Sequence, residues 1–133
     1  MQLQTKGETP PPRSGHSATL VGKHIYIFGG WDDPRKYNDM FALDTTTNMW
    51  RQIHYKGTPP IQRTWHTCSL AYGTRLLVFG GYDGLQALQD VHIFDTETST
   101  WEETMTPKIG ARAGHSATVM KDKVCDLRFV IHH

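Results

Sequence analysis

The stretch Pro12-Arg13-Ser14-Gly15-His16-Ser17-Ala18-Thr19 decides the fold of this 133-residue chain, because the sequence repeats it. It returns as Gln62-Arg63-Thr64-Trp65-His66-Thr67-Cys68-Ser69, and again as Ala111-Arg112-Ala113-Gly114-His115-Ser116-Ala117-Thr118. The arginines Arg13, Arg63 and Arg112 are separated by 50 and 49 positions. A fixed period of about 50 residues indicates a repeat architecture, most simply the blades of a β-propeller.

The composition argues against several classes of protein. Lys and Arg number 14 and Asp and Glu 13, so the net charge is +1 and no basic stripe is left for nucleic acid. The apolar runs are far shorter than the ~20 residues of a membrane helix, so we expect no membrane partner. The first residues lack the apolar segment of a secretory signal, and Cys68 and Cys125 are the only cysteines. We therefore expect reduced thiols and a cytoplasmic or nuclear location.

Each copy divides at its turn signals into four predicted strands, as in a propeller blade. The predicted strands of the first copy are residues 16–21, 24–28, 39–44 and 49–53. Those of the second copy are residues 66–71, 75–79, 90–95 and 100–103. Residues 31–36 are predicted as a loop between the second and third strands.

Two structural motifs recur at a spacing of 51 residues. Gly29-Gly30 and Gly80-Gly81 end the second strand of each copy. Glycine adopts positive φ and lets another backbone come close. Trp50 and Trp101 lie in the fourth strands, where a large apolar side chain fills the space between sheets packed ~10 Å apart.

These residues resemble the kelch repeat. Its marks are Phe28-Gly29-Gly30 and Phe79-Gly80-Gly81, each after an apolar run and each followed by a tryptophan. Phe94 keeps the family's aromatic position before Trp101, whereas Leu43 stands there in the first copy. The resemblance covers roughly residues 7 to 125. It implies an all-β propeller of four-stranded blades and the binding of partner proteins by loops. A minority of the family, such as the galactose-oxidase group, are enzymes.

The expected organisation is one kelch-repeat region over residues 1–133. Residues 1–12 form an outer strand and lead-in, 13–62 blade 1, 63–111 blade 2, and 112–133 an incomplete blade 3 that diverges from residue 126. Residues 126–133 put charges where a buried strand belongs, and Arg128-Phe129 stands where the double glycine is expected. This departure from the pattern reflects either ordinary divergence of the repeat or a truncated or alternative chain end. We favour a truncated or alternative chain end. Two blades and a fragment should leave apolar blade faces uncovered, so we also expect self-association.

Equivalent arginines and histidines in the three copies are predicted to lie in the channel or between blades. The arginines pair with carboxylates between blades or line a mouth of the channel, and both readings stay open. The histidines repeat one packing role or form a zinc site, and we favour the packing role because repeat-related strands diverge around a ring. We therefore expect no metal and no cofactor. This set comprises Arg13, His16, Arg63, His66, Arg112 and His115.

The predicted partner-binding residues lie mainly in the loops after the double glycines, where the copies differ. Tryptophan and tyrosine are favoured interface anchors, although such residues also cap their own blade edges. Trp65 replaces the glycine found as Gly15 and Gly114, and we expect it to project differently. The full set is Trp31, Asp32, Asp33, Trp65, Tyr82 and Asp83.

The sequence thus predicts a non-catalytic adaptor or scaffold that binds a protein partner. A truncated isoform with little function, or with an interfering one, is the first alternative. A fragment of a kelch-type oxidase is the second, although Cys68 aligns with Ala18 and Ala117 and is expected in the core. No Gly-x-Ser-x-Gly elbow occurs, so we predict no catalytic residues.

Overall fold

The computed structural model describes residues 5–102 and the backbone of residues 116–122 and 126–132. All regular structure in these residues is β, which confirms the predicted all-β class. No helix in this part of the chain has the length and hydropathy needed to cross a membrane. The strands are β1 Lys6–Gly7, β2 Ser17–Val21, β3 His24–Phe28, β4 Trp31–Asp32, β5 Arg35–Lys36, β6 Met40–Asp44, β7 Met49–Gln52, β8 Thr67–Leu70, β9 Arg75–Tyr82, β10 Ala87–Asp95, β11 Thr100–Glu102, β12 Ser116–Asp122 and β13 Asp126–His132.

Both complete copies fold into the expected four-stranded antiparallel blade. Blade 1 has the sheet order β1-β7-β6-β3-β2, with the short β1 added at its outer edge, and blade 2 has the order β11-β10-β9-β8. The central strands β3 and β9 are continuous apolar runs that are buried over most of their length, as expected for strands covered on both faces.

The loops after the double glycines differ from the prediction. Residues 31–36 are not a plain loop, because β4 and β5 pair as a short hairpin with Trp31 opposite Lys36. In blade 2, β9 runs on to Tyr82 and β10 starts at Ala87, so these strands continue through the predicted loop. A register shift between Leu88 and Val91 marks a bulge, which bends the strand pair locally.

A lead-in segment runs parallel to the outer strand of each blade. Lys6–Gly7 pairs with Met49 and Trp50, and Lys56 makes the equivalent parallel bridge to Thr100. Gly57 has a φ of +84°, and a Cβ added there would lie 2.5 Å from the carbonyl oxygen of Trp101. The close approach of two backbones therefore requires glycine at this position.

The third copy also forms a strand pair. Strand β13 pairs antiparallel to β12, with Ser116 opposite His132 and Asp122 opposite Asp126. The divergence of the sequence from the repeat after residue 126 stays a prediction. Strand β12 lies beside β8, as β8 lies beside β2. Arg112, His115 and the predicted outer strand at residues 1–4 lie outside the described residues, and the blade boundaries remain a prediction.

The main core fills the space between the two blades. Blade 1 contributes Tyr26, Phe28, Met40 and Ala42, which pack against Leu76, Val78, Phe94 and Trp101 of blade 2. Trp101 is only 3% exposed, whereas its counterpart Trp50 is half-buried. The difference follows from packing, because no other sheet of the described residues covers the face of blade 1 that carries Trp50.

Polar contacts along the inner strands hold the two blades in register. The hydroxyl of Thr19 donates to the Cys68 carbonyl at 3.0 Å, and the backbone N–H of Gly30 donates to the Arg63 carbonyl at 2.8 Å. We call this contact region the seam between the blades. Because buried backbone groups are costly when they lack a hydrogen-bond partner, the seam fixes how the two blades pack and positions the loops at its end.

Candidate functional site

Three aromatic side chains meet at one end of the seam between the blades: Trp31 from β4, Tyr82 from the end of β9, and Trp65 from the segment before β8. The Trp31 and Trp65 ring centroids lie 5.5 Å apart at an interplanar angle of 66°, and the Trp65 and Tyr82 centroids lie 5.7 Å apart at 24°. These edge-to-face and stacked arrangements are the favoured geometries for aromatic pairs. We call Trp31, Trp65 and Tyr82 the aromatic ladder.

Backbone hydrogen bonds position the three residues of the aromatic ladder. Trp31 exchanges two hydrogen bonds with Ser14, each 2.9 Å, and Tyr82 exchanges the equivalent pair with Thr64 at 2.9 and 2.8 Å. The N–H of Trp65 donates to the carbonyl of Gly15 at 2.9 Å, which joins the two copies. The ladder is therefore a product of the repeat and of the blade seam together.

Trp65 adopts a backbone conformation that a bulky residue rarely takes. Its φ is +57°, close to the +70° of its counterpart Gly15. An L-residue in the left-handed region costs roughly 1–2 kcal/mol, and such strain persists where the surrounding structure enforces it. The side chain is nevertheless 46% exposed. Trp65 thus follows the backbone path of the glycine it replaces and presents a half-open indole to solvent.

The three predicted acidic residues are in two different settings. Asp32 and Asp33 are exposed at the tip of the β4–β5 hairpin, and neither makes an ion pair with another described residue. Asp83 instead accepts hydrogen bonds from the N–H groups of Leu85 and Gln86, each 2.8 Å, and these bonds lower its pKa. Asp83 therefore shapes the β9–β10 turn.

Sequence reasoning missed Leu85 and Lys36. Leu85 is 92% exposed in the turn after Tyr82. The sequence feature that could have indicated it is an apolar residue within an otherwise polar turn. The stem of the Lys36 side chain passes directly over Gly84, where a Cβ would clash with it. The hairpin of blade 1 and the turn of blade 2 are thereby neighbours beside the ladder.

Arg13 and Arg63 each pair with a carboxylate of their own copy. Arg63 is fully buried and forms a two-pronged ion pair with Asp90 of its own copy at 2.6 and 2.7 Å. Arg13 pairs in the same way with Asp39 of its own copy. The carboxylate partner belongs to the same copy in each case, and the channel or inter-blade position of these arginines stays a prediction. The planar guanidinium suits this bidentate, buried role.

His16 and His66 differ, although they occupy equivalent positions. His16 is exposed, while His66 is 7% exposed and its Nε2 lies 2.9 Å from the Ser17 hydroxyl across the seam. Burial, reinforced by the charge of Arg63, lowers the pKa of His66 to about 4. No group of three or more His, Cys, Asp or Glu residues within the described ranges is placed to hold a metal ion. The three-histidine hypothesis also needs His115, which lies outside those ranges.

Cys68 lies in strand β8 at the inner side of the seam. Burial raises the pKa of its thiol to about 11, so the thiol stays protonated at neutral pH. Because the thiolate is the reactive form, this cysteine is suited to packing and poorly suited to nucleophilic chemistry.

Comparisons with known proteins agree with the repeat. A family model described as the KLHDC2/KLHL20/DRC7 Kelch-repeats domain matches residues 1–126. The Rho GTPase-activating protein gacHH of Dictyostelium discoideum is 41% identical over 98 residues, which is 71% of this chain and 6% of that protein. The Rab9 effector protein with kelch motifs of Bos taurus is 42% identical over 101 residues, 71% of this chain and 27% of that protein.

One similar protein carries the name of an enzyme. The N-(sulfonatooxy)prop-2-enimidothioate sulfolyase of Thlaspi arvense is 31% identical over 129 residues, 95% of this chain and 36% of that protein. The chain therefore spans between 6% and 36% of the length of these three relatives.

Proposed function

Because this chain belongs to the kelch-repeat family, we propose that it is a non-catalytic protein-interaction module, and that the surface around the aromatic ladder binds the partner protein. Kelch repeats generally serve protein interaction. The observation that carries the proposal is the convergence of Trp31, Trp65 and Tyr82 at the end of the blade seam. Interface hot spots are rich in tryptophan and tyrosine, and rigid scaffolds commonly present such residues on loops.

The rigidity of the seam supports this assignment. The loops rest on a core in which Phe28 and Phe79 are at most 1% exposed, and inter-blade hydrogen bonds fix their bases. A preorganised surface binds with less loss of conformational entropy than a mobile one. The printed names of two relatives, a Rab9 effector and a Rho GTPase-activating protein, describe action on or with small GTPases. A protein of that class is a reasonable first candidate partner for this chain.

Two further parts of the proposal concern location and self-association. A cytoplasmic or nuclear location suits a chain whose Cys68 is a free thiol. The face of blade 1 that carries half-buried Trp50 is apolar, and another blade could cover it as blade 1 covers Trp101. That blade could belong to a second copy or to the same polypeptide.

Catalysis is a second candidate because some relatives carry the names of enzymes, such as the sulfolyase. Two of the titratable groups inside the blades serve structural contacts instead. The Asp90 carboxylate is held by Arg63 and by His92, whose Nε2 is 2.7 Å away, and the Cys68 thiol is protonated.

Affinity capture tests the proposal. The chain, Trp65→Gly and Met49→Ala would be immobilised and exposed to the same cell extract. Met49 is the matched control because it is 44% exposed, close to the 46% of Trp65, but lies at the opposite end of blade 1. We expect the same partner on the parent chain and on Met49→Ala, and its loss on Trp65→Gly. Equal retention by all three would refute the assignment of the loop surface.

A further inference from the structure

We propose that the β12–β13 hairpin is a capping half-blade, which closes one face of blade 2 and offers no seat for a further blade on its own outer face. The inference concerns the third copy of the repeat and does not depend on the proposed binding function. It rests on the burial of blade 2, on the position of β12 and on the register of β13.

The face of blade 2 that lies away from blade 1 is an apolar surface, which we call the second face of blade 2. It is formed by four residues that are at most 3% exposed, Leu77, Phe79, Val91 and Ile93. The apolar side chains of residues 5–102 that pack against this cluster, Ala71 and Tyr72, belong to blade 2 itself. Burial this complete requires a covering layer, and blade 1 is already packed on the opposite face.

Strand β12 is positioned to supply that layer. It lies beside β8, as β8 lies beside β2 in the seam between the blades. The hydroxyl of Ser69 on β8 is buried. Its repeat counterpart Thr19 lies in the seam, where it donates to the carbonyl of Cys68 on β8 at 3.0 Å. The third copy therefore follows blade 2 along the inner strands as blade 2 follows blade 1.

The register of the hairpin identifies the residues of β13 that hold the sealing positions. In blade 2, Leu76 and Val78 of β9 belong to the core shared with blade 1. Counted from the pairing of β12 with β13, the same two positions of the third copy hold Phe129 and Ile131. Alternate residues of a strand share a face, so these two apolar residues lie on one face of β13. That face corresponds to the face of β9 that packs against the preceding blade.

The other face of β13 lacks the aromatic residues with which a blade receives its neighbour. Blade 1 contributes Tyr26 and Phe28 of β3 to the core shared with blade 2. The same positions of β13 hold Val130 and His132, and Arg128 shares their face. Burying an unpaired charge is costly, so a further blade has little to gain there. Capping repeats of stacked architectures carry polar outer faces of this kind.

The charged residues within 126–132 thereby acquire a role. They alternate with apolar residues in β13, as expected for a strand with one covered face and one polar face. Among the described faces, association with another blade is then directed to the face of blade 1 that carries Trp50.

Alanine substitutions on the two faces of β13, made in the whole chain, test the inference. We expect Phe129→Ala and Ile131→Ala each to lower the melting temperature by about 10 °C or more, because each would uncover apolar surface of blade 2. Arg128→Ala and His132→Ala are the matched controls on the same strand, and each should shift it by less than about 3 °C. Below the melting temperature, Phe129→Ala should raise amide hydrogen exchange in β9 severalfold more than in β3.

Equal shifts from the two faces, or larger shifts from Arg128→Ala and His132→Ala, would overturn the cap. Exchange in β9 that Phe129→Ala leaves unchanged would overturn it as well. If neither alanine variant of the apolar face folds, the milder Ile131→Val should still lower the melting temperature by about 2–6 °C, and no shift would refute the sealing position. None of these measurements uses a partner protein, so their failure would leave the proposed function standing, and loss of partner capture would leave the cap standing.

Discussion

Acidification should loosen the seam between the blades through a single residue, His66. The side chain is 7% exposed, its Nε2 contacts the Ser17 hydroxyl at 2.9 Å, and its Nδ1 has no hydrogen-bond partner. The ring lies edge-on to Phe28, with centroids 5.4 Å apart. Burial, followed by the charge of Arg63, lowers the pKa of His66 from 6.5 to about 4. A protonated His66 would be a second buried cation beside Arg63.

The sign and size of the effect follow from proton linkage. The unfolded chain binds a proton at His66 below pH 6.5, whereas the folded chain resists it down to about pH 4. The stability associated with neutral His66 is therefore fully present above pH 6.5 and is lost as the pH falls through this window. At pH 5 the loss is about 2 kcal/mol, and below pH 4 it approaches about 3 kcal/mol.

Urea unfolding followed by tryptophan fluorescence, at pH values from 7.5 to 4.5, measures this loss. Carboxylates also titrate near the lower end, so the test is the difference between the parent chain and His66→Gln, which keeps a polar group near Ser17 but does not titrate. We expect the pH dependence of His66→Gln to be shallower by about 2 kcal/mol at pH 5. His16→Gln is the matched control, because His16 has the same repeat position but is exposed. Parallel curves for the parent chain and His66→Gln would refute the reasoning.

Two further predictions use matched pairs within the repeat. Gly57→Ala should lower the free energy of unfolding by more than about 2 kcal/mol, because the added Cβ meets the Trp101 carbonyl oxygen at 2.5 Å. Gly22 also has a positive φ, +62°, but open space surrounds it, so Gly22→Ala should lower the free energy of unfolding by only about 1–2 kcal/mol. Thermal melting of both variants checks this, and equal losses would contradict the close-approach argument. Trp101→Ala should cost about 3–5 kcal/mol because that side chain is 3% exposed in the core, and half-buried Trp50→Ala should cost clearly less. Urea midpoints rank the two, and a reversed order would show that Trp50 is covered in solution.

The strands were largely predictable from the sequence, because their signals are local. The apolar run at residues 24–28 became β3 without change, since an apolar segment between turn residues has few alternatives. The β9–β10 extension was missed, because Tyr82 and Ala87 pair across a turn that polar and glycine residues made look like a loop. The pairing of β12 with β13 was not predicted, because the charged residues in 126–132 interrupt the apolar pattern expected of a buried strand.

The sequence singled out the members of the aromatic ladder, whose role in binding stays a proposal, but not their arrangement. Aromatic residues in variable loops indicated Trp31, Trp65 and Tyr82, but their contact depends on two blades standing side by side. Leu85 was overlooked, because exposure is a property of the folded surface. The ion pair of Arg63 with Asp90 joins residues 27 positions apart in the chain, and no local pattern indicates which carboxylate an arginine will reach.

The sequence by itself determined the kelch repeat, the order of strands in each blade and the glycines at which backbones come close, because these depend on local propensity and on a period of about 50 residues. Only the tertiary structure decided which of two equivalent residues is buried. Trp101 and His66 lie in the seam between the blades, while Trp50 and His16 have the same repeat positions and remain open to solvent. The physical reason is that a blade buries its apolar face only by packing against a neighbouring blade. The burial of Trp101 and His66, and the pKa shift that burial causes at His66, therefore depend on both blades together.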